Sequence, residues 1–324
     1  MKAFVCHELG PVESHAPGEM PVPEIAAGEL RVRVAAAGVN FFDTLIVQGK
    51  YQIRPPLPFA PGGEIAGTVE AVGDGVDDFR PGDRVLAFTS FGGYAEYTRA
   101  KASMCWHLPD PVRFETAAAG LTTYGTAWFA LHDLARLQPG ERVLVLGAAG
   151  GVGLAAIQIA KLAGARVIAA AGSEERLEFC REAGADITID YVANDLKDAA
   201  KAATDGKGAD VVVDVVGGEF TEKAIRAIAW RGRLLVIGFA AGAIPRLATN
   251  LTLLKGCHVI GVFWDEMLRR EPGTSRPQID ALTAAWADGR LRPPVTRTYP
   301  LARAGEALQQ LAGRRTPGKL LVVP

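Results

Sequence analysis

Apolar and polar positions alternate in short runs through the first third of the chain. Leu30-Arg31-Val32-Arg33-Val34 switches apolar and charged at every step, the period of a half-buried strand, and residues 67–73 repeat it. Met1 to Glu8 also reads as a strand that meets charge too soon to be a secretion signal. Pro55-Pro56, Pro61-Gly62-Gly63 and Arg80-Pro81-Gly82-Asp83 break these runs as turns. The pattern predicts a compact, mainly β domain over residues 1–115. After Glu115 the texture changes. Continuous β-branched runs at 142–146, 166–170, 186–189, 210–216 and 234–237 alternate with helical stretches at 154–162, 174–183, 194–204 and 220–229. Strands covered on both faces lose their alternation, so this rhythm predicts a doubly wound parallel sheet with crossover helices over residues 116–258. Helical patterns at 278–288 and 302–312 and an apolar run, Lys319–Val323, close the chain. This tail is too short for a domain of its own. It is expected to complete the first one, giving a discontinuous domain of residues 1–115 and 259–324.

Composition narrows the partners. The chain has 324 residues, a two-domain length at about 150 residues per domain, and can bury a large core without disulfides. Thirty-five basic residues stand against 36 acidic ones, a formal net charge of −1 that gives no electrostatic reason to expect nucleic acid or an anionic membrane. Cys6, Cys105, Cys180 and Cys257 form no CxxC pair, which suits a reducing, cytoplasmic setting. No run of 18 or more apolar residues predicts a membrane span.

The chemistry-bearing motif is Gly147-Ala148-Ala149-Gly150-Gly151-Val152-Gly153, with an apolar strand before it and a helix after it. Glycines there let a backbone approach a pyrophosphate, whose charge then meets the unpaired N–H groups of a helix N-terminus. The strand–loop–helix setting points to a Rossmann-type dinucleotide site. A carboxylate about 20 residues on would bind an unphosphorylated ribose. The stretch there is Ala171-Gly172-Ser173-Glu174-Glu175-Arg176, and position 172 is glycine. With Ser173 and Arg176 close by, the expectation is a 2′-phosphate and therefore NADPH. Ser173 is equally a good helix cap, and Glu174 within reach of the ribose is the competing reading.

Further motifs lie along the whole chain: Ala37-Gly38-Val39-Asn40-Phe41-Phe42-Asp43, Pro61-Gly62-Gly63-Glu64-Ile65-Ala66-Gly67, Arg80-Pro81-Gly82-Asp83-Arg84-Val85, the glycine loop, and Gly318-Lys319. With these the chain resembles the medium-chain dehydrogenase/reductase superfamily, and within it the zinc-free NADPH:quinone oxidoreductases related to zeta-crystallin. The resemblance implies a GroES-like, mainly β catalytic domain beside the Rossmann domain, a cleft between them, and homodimers whose cofactor-domain sheets join edge to edge. It also implies that Gly150, Gly151 and Val152 face the pyrophosphate and that Gly172, Ser173 and Arg176 surround the adenosine ribose, with Tyr191 beside them. Val216, Gly217, Gly238, Phe239, Val262 and Phe263 would line the nicotinamide side, with Thr123, Asn40 and Lys319 near the cofactor. Zinc-dependent relatives carry Cys where Asn40 stands and His where Gly63 stands, while Glu64 is kept. No metal is therefore expected, and the five histidines show no ligand spacing.

Without a Lewis acid, an alcohol lacks its usual activation. Quinones and α,β-unsaturated carbonyls accept hydride directly, and the protein need only orient them and donate a hydrogen bond to the oxyanion. Asn40 and Tyr51 match family positions that line the cleft, so the resemblance implies them as the catalytic candidates; Asp43 matches a recurrent position too and is expected to make a structural hydrogen bond. A small hydrophobic quinone or enone is the expected substrate. The alternatives are a 2-alkenal or 2-enoyl thioester reductase and an NADPH-binding protein with little turnover. Residues 313–320 imitate a P-loop but end in Leu320 and precede a strand, so nucleotide-triphosphate chemistry is not expected. Arg314-Arg315 reads as solvated surface charge.

Overall fold

The structure is a computed structural model that describes residues 1–314 and 316–324; Arg315, half of the Arg314-Arg315 pair, lies outside the described residues. In chain order, β1 (Lys2–Val5) and β2 (Ala16–Glu19) form an antiparallel ribbon. There follow β3 (Glu29–Val39), α1 (Phe41–Ile46), β4 (Glu64–Val72), β5 (Arg84–Phe88), β6 (Tyr97–Lys101), β7 (Cys105–His107) and α2 (Phe114–Trp128). The alternating part is β8 (Arg142–Leu146), α3 (Gly151–Leu162), β9 (Arg166–Ala171), α4 (Glu174–Glu182), β10 (Ile187–Asp190), α5 (Leu196–Ala202), β11 (Ala209–Asp214), α6 (Glu219–Arg226), β12 (Ile228–Val236), α7 (Asn250–Lys255) and β13 (His258–Gly261). The tail holds α8 (Trp264–Arg270), α9 (Pro272–Ala287), β14 (Val295–Pro300), α10 (Ala304–Ala312) and β15 (Lys319–Val323).

Two compact units result, Met1–Thr122 with Leu268–Pro324, and Thr123–Met267. The first contains a seven-stranded sheet in the order β14-β15-β3-β4-β5-β7, with β6 also paired to β3. The tail strand β15 lies antiparallel to β3, Leu320 opposite Val39. That register brings the start of β15 beside the end of β3, residues far apart in sequence. The core here is apolar and tightly closed, with Phe4, Leu30, Val32, Ile46, Ile65 and Val85 all buried.

The second unit is a six-stranded, all-parallel sheet ordered β10-β9-β8-β11-β12-β13. This is the doubly wound order, in which the chain reverses direction across the sheet between β8 and β11 and leaves a crevice at their carboxyl ends. Val143, Val145, Ile168 and Val212 are fully buried, as strands covered on both faces require.

The expected boundaries at 115/116 and 258/259 shift to 122/123 and 267/268. β13 causes the second shift: it pairs in parallel with β12, Leu234 opposite Val259, and so takes residues 259–261 into the parallel sheet. The helix expected over 220–229 stops at Arg226, because Ile228 and Ala229 already belong to β12.

Candidate active site

In the first unit, the ends of three strands meet at a buried polar cluster. Asn40 follows β3, Glu64 opens β4 and Lys319 opens β15. All three are buried, Glu64 completely. The Lys319 ammonium donates to Glu64 Oε2 at 2.8 Å and to Asn40 Oδ1 at 2.6 Å. Asn40 Nδ2 donates to the same Glu64 oxygen at 2.7 Å, and among the described residues its other hydrogen has only a long 3.4 Å contact with the Gly38 carbonyl. Glu64 Oε1 accepts the backbone N–H of Thr122, on α2, at 2.8 Å. The buried carboxylate thus has a cation and two N–H donors, the compensation a charge needs away from water.

Beside Glu64, Gly63 leaves room for an aromatic ring. A Cβ at position 63 would come within 2.7 Å of Phe42 Cε2 and Cζ and 2.9 Å of the Ser90 carbonyl oxygen. The Phe42 ring itself is held by Tyr51, stacked at 5.7 Å, and by Phe88 edge-on at 6.2 Å. A larger residue at 63 would have to displace this aromatic group.

Asp43 closes the cluster from α1. It is fully buried, and its Oδ2 accepts the Asn40 backbone N–H at 2.8 Å and the Tyr94 hydroxyl at 3.0 Å. Its other oxygen has no hydrogen-bond partner among the described residues. Burial outweighs these bonds and pushes the Asp43 carboxyl up to about 7, while burial and the neighbouring Asp43 raise the Tyr94 hydroxyl well above its ordinary value. A carboxyl with a raised folded-state pKa stabilises the protein at low pH and loses that contribution as pH rises through about 7. The expected result is that Asp43→Asn gains melting temperature relative to wild type between pH 5 and pH 8. A constant difference across that range in thermal melts would contradict it.

The second unit presents the carboxyl edge of its parallel sheet. Gly150 caps α3 with no side chain of its own, leaving the first N–H groups of the helix open to an anion. Gly153 sits where a Cβ would lie 2.6 Å from both the Gly147 and Ala148 carbonyl oxygens, so only glycine lets α3 begin this close to β8. At the end of β9, Gly172 lies under the Tyr191 ring, to whose Cε2 a Cβ would be 3.1 Å; that ring packs on Phe220 at 4.7 Å. Ser173 occupies the cap position of α4 without making a side-chain cap bond. Glu174 is drawn along the helix to Arg181 at 2.7 Å. At the end of β11, Asp214 Oδ1 accepts the N–H groups of Val216 and Gly217, both at 2.9 Å, and its Oδ2 accepts the Thr221 hydroxyl at 2.5 Å. These bonds hold the turn that faces the crevice.

Comparison with known proteins fits both halves. Residues 26–110 match the family described as alcohol dehydrogenase GroES-like domain, and 151–276 match zinc-binding dehydrogenase. The quinone oxidoreductase-like protein 2 homolog of Nematostella vectensis is 38% identical over 99% of this chain and 88% of its own length. The chain belongs to the quinone oxidoreductase branch of the medium-chain dehydrogenase/reductase superfamily. The quinone oxidoreductase of Rattus norvegicus is 33% identical over 96% of this chain and 94% of its own. The Escherichia coli quinone oxidoreductase, solved in complex with NADPH, superposes with a TM-score of 0.94 at 31% identity, covering all of both chains.

For a member of this branch, the sequence-predicted residues fall into two sets. Gly150, Gly151, Val152, Gly172, Ser173, Arg176, Tyr191, Val216, Gly217, Gly238, Phe239, Val262 and Phe263 all stand at or just beyond the carboxyl ends of the parallel strands. Phe239 and Phe263 are partly exposed, whereas Val216 and Val262 are buried. Thr123 is buried on α2. In the other unit, Asn40 and Lys319 share one cluster, and Tyr51 joins the aromatic group around Phe42 instead. Lys319, expected near the cofactor, has its ammonium turned inward to Glu64 and Asn40, because a buried cation must sit on its counter-charge. The Glu64–Lys319 pair escaped sequence reasoning. Its signal was two opposite charges, each at the first position of a strand, with Lys319 leading an otherwise apolar run. Among the described residues, no group of three or more His, Cys, Asp or Glu is placed to hold a metal ion, and no helix is long and apolar enough to cross a membrane.

Proposed function

We propose that this protein transfers hydride from NADPH to a quinone or another α,β-unsaturated carbonyl, without a metal. The observation that carries this reading is the content of the Asn40 site. A lysine ammonium lies 2.6 Å from Asn40 Oδ1, and the Phe42 ring fills the space beside Gly63. A fixed protein cation repels a divalent one, and neither residue is a zinc ligand by type. The reaction that needs no Lewis acid is therefore favoured over alcohol oxidation.

NADPH, when bound, supplies the hydride, which enters the acceptor at a ring position or at the β-carbon. The acceptor, reduced by the two electrons of that hydride, would carry negative charge on its oxygen as a phenolate or enolate and take a proton from solvent. Asn40 offers its weakly engaged Nδ2 hydrogen to that oxygen as negative charge develops on it. The glycine loop and the α3 N-terminus hold the pyrophosphate, while Gly172, Ser173, Arg176 and Tyr191 receive the adenosine end. The test is NADPH oxidation by the purified protein with 1,4-benzoquinone, 9,10-phenanthrenequinone and trans-2-hexenal, with and without chelator. Chelator-resistant turnover supports the reading. Tight NADPH binding without turnover on any acceptor would replace it with a binding role.

Selectivity for the phosphorylated cofactor follows from the β9–α4 corner. Glu174 is engaged by Arg181 along the helix, and Arg176 would supply positive charge for a 2′-phosphate. Arg176→Ala is expected to raise KM for NADPH about 10-fold or more and leave KM for NADH nearly unchanged, the loss typical of one charge-assisted contact. Equal effects on both cofactors in initial-rate kinetics would remove Arg176 from the site.

The sheet edge supports a homodimer. β13 ends the six-stranded sheet, and around it Trp230, Leu253, Leu254 and Val259 are 69%, 79%, 67% and 43% exposed. The Trp230 ring lies against Gly256 at the end of α7, which leaves exposed apolar side chains on β12, α7 and β13 beside an open strand edge. A second copy covers it by pairing edge to edge. Trp230→Glu with Leu254→Glu is expected to yield a monomer in sedimentation velocity. An unchanged sedimentation coefficient would exclude this face.

A further inference from the structure

We propose that Lys319 and Glu64 are positioning residues whose task is to fix the side-chain amide of Asn40 in one of its two flip states. The inference rests on the reading of Asn40 as the oxyanion donor. An asparagine amide is nearly symmetric in shape but not in chemistry, since one end only accepts and the other only donates. Lysine only donates, so the atom 2.6 Å from its Nζ must be Oδ1. An ionised glutamate only accepts, so the atom 2.7 Å from Oε2 must be Nδ2. The two charges therefore specify the same orientation from opposite ends. A flip would set Oδ1 against the carboxylate and Nδ2 against the ammonium. The locking charges are themselves anchored, Glu64 by the Thr122 N–H at 2.8 Å and Lys319 by Glu64 at 2.8 Å.

Stability does not account for this arrangement. A buried ion pair is often no more stable than well-packed apolar residues of the same size, so its gain lies in specifying one geometry. Here the geometry specified is that of the residue placed against the substrate oxygen. With the flip locked, the second Nδ2 hydrogen, whose only contact among the described residues is the 3.4 Å approach to the Gly38 carbonyl, is always presented as a donor. An unlocked amide would spend part of its time presenting a lone pair to a developing anion.

Removing Lys319 alone leaves an unpaired buried carboxylate and risks unfolding, so the informative variant is the neutral pair Glu64→Gln/Lys319→Met. It is compared with Asn40→Ala and with the triple variant in the full-length protein, using 9,10-phenanthrenequinone or whichever panel acceptor turns over. The neutral pair is expected to keep a melting temperature near wild type and an NADPH Kd within about two-fold. Its kcat should fall about 10- to 100-fold at little change in quinone KM, the range seen when groups that orient a reacting residue are lost. The triple variant should be no slower than Asn40→Ala alone, since all three residues act through one hydrogen bond. A neutral pair whose kcat stays within three-fold of wild type while Asn40→Ala is impaired overturns the positioning role alone. If Asn40→Ala is itself as fast as wild type, the donor reading fails and the positioning role fails with it.

Discussion

Asn40→Ala is expected to lower kcat about 100- to 1,000-fold, the effect of deleting one preorganised donor to an oxyanion. The affinity for NADPH should change little, because the proposed nucleotide cradle lies on the parallel sheet and Asn40 itself is engaged by Glu64 and Lys319. Some stability is lost as well. The substitution removes the Oδ1 acceptor from the Lys319 ammonium and one donor from Glu64, each buried, at a cost of about 1–3 kcal/mol. The backbone bond from Asn40 to Asp43 survives, since it uses the main-chain N–H. The decisive quantity is thus kcat measured on protein shown by thermal melt to be folded at the assay temperature. Tyr51→Phe is the companion measurement. It removes the hydroxyl and keeps the ring that stacks on Phe42 at 5.7 Å. If Asn40→Ala retains kcat within about five-fold of wild type and Tyr51→Phe does not, the donor is Tyr51.

The sequence disclosed the parts of this protein that are local. β8 and β15 fall at the residues their apolar runs predict, because each run is bounded by charge, glycine or proline. The glycine loop was legible for the same reason: strand, turn and helix N-terminus are contiguous. β13 was not. His258, Val259 and Gly261 are exposed, so the segment carries no burial pattern and owes its strand form to pairing with β12. β12 was truncated in the sequence reading because Trp230-Arg231-Gly232-Arg233 interrupts its apolar character, and Arg231 adopts a left-handed backbone angle of 63°. The Asn40 cluster was half legible. Asn40 and Lys319 were each singled out, but their contact depends on the antiparallel register of β15 on β3. That pairing spans almost the whole chain and leaves no local trace.

Gly153→Val is expected to weaken NADPH binding more than 100-fold and to destabilise the fold together. The first new atom, Cβ, would stand 2.6 Å from two backbone carbonyl oxygens, those of Gly147 and Ala148. Neither can step aside cheaply. The Ala148 N–H is tied to the Ala170 carbonyl at 3.1 Å, and the Gly147 carbonyl accepts the Gly150 N–H at 3.0 Å. The strain is relieved only by moving α3 away from β8. Overpacking of this kind costs about 1–3 kcal/mol or more, a fall of roughly 2–10 °C in melting temperature for a domain this size. The same movement would withdraw the helix N-terminus from the proposed pyrophosphate site, so binding should suffer beyond the stability loss. Gly150→Ala separates the two effects. Its Cβ would be 3.4 Å from the Gly147 carbonyl oxygen and touch nothing else nearby, so the free protein should melt close to wild type. Nucleotide binding should still fall, because that Cβ occupies the mouth of the loop where the backbone must approach the phosphates. Calorimetric titration with NADPH on both variants decides the matter. Unimpaired binding by Gly150→Ala would mean that the pyrophosphate does not rest on this loop.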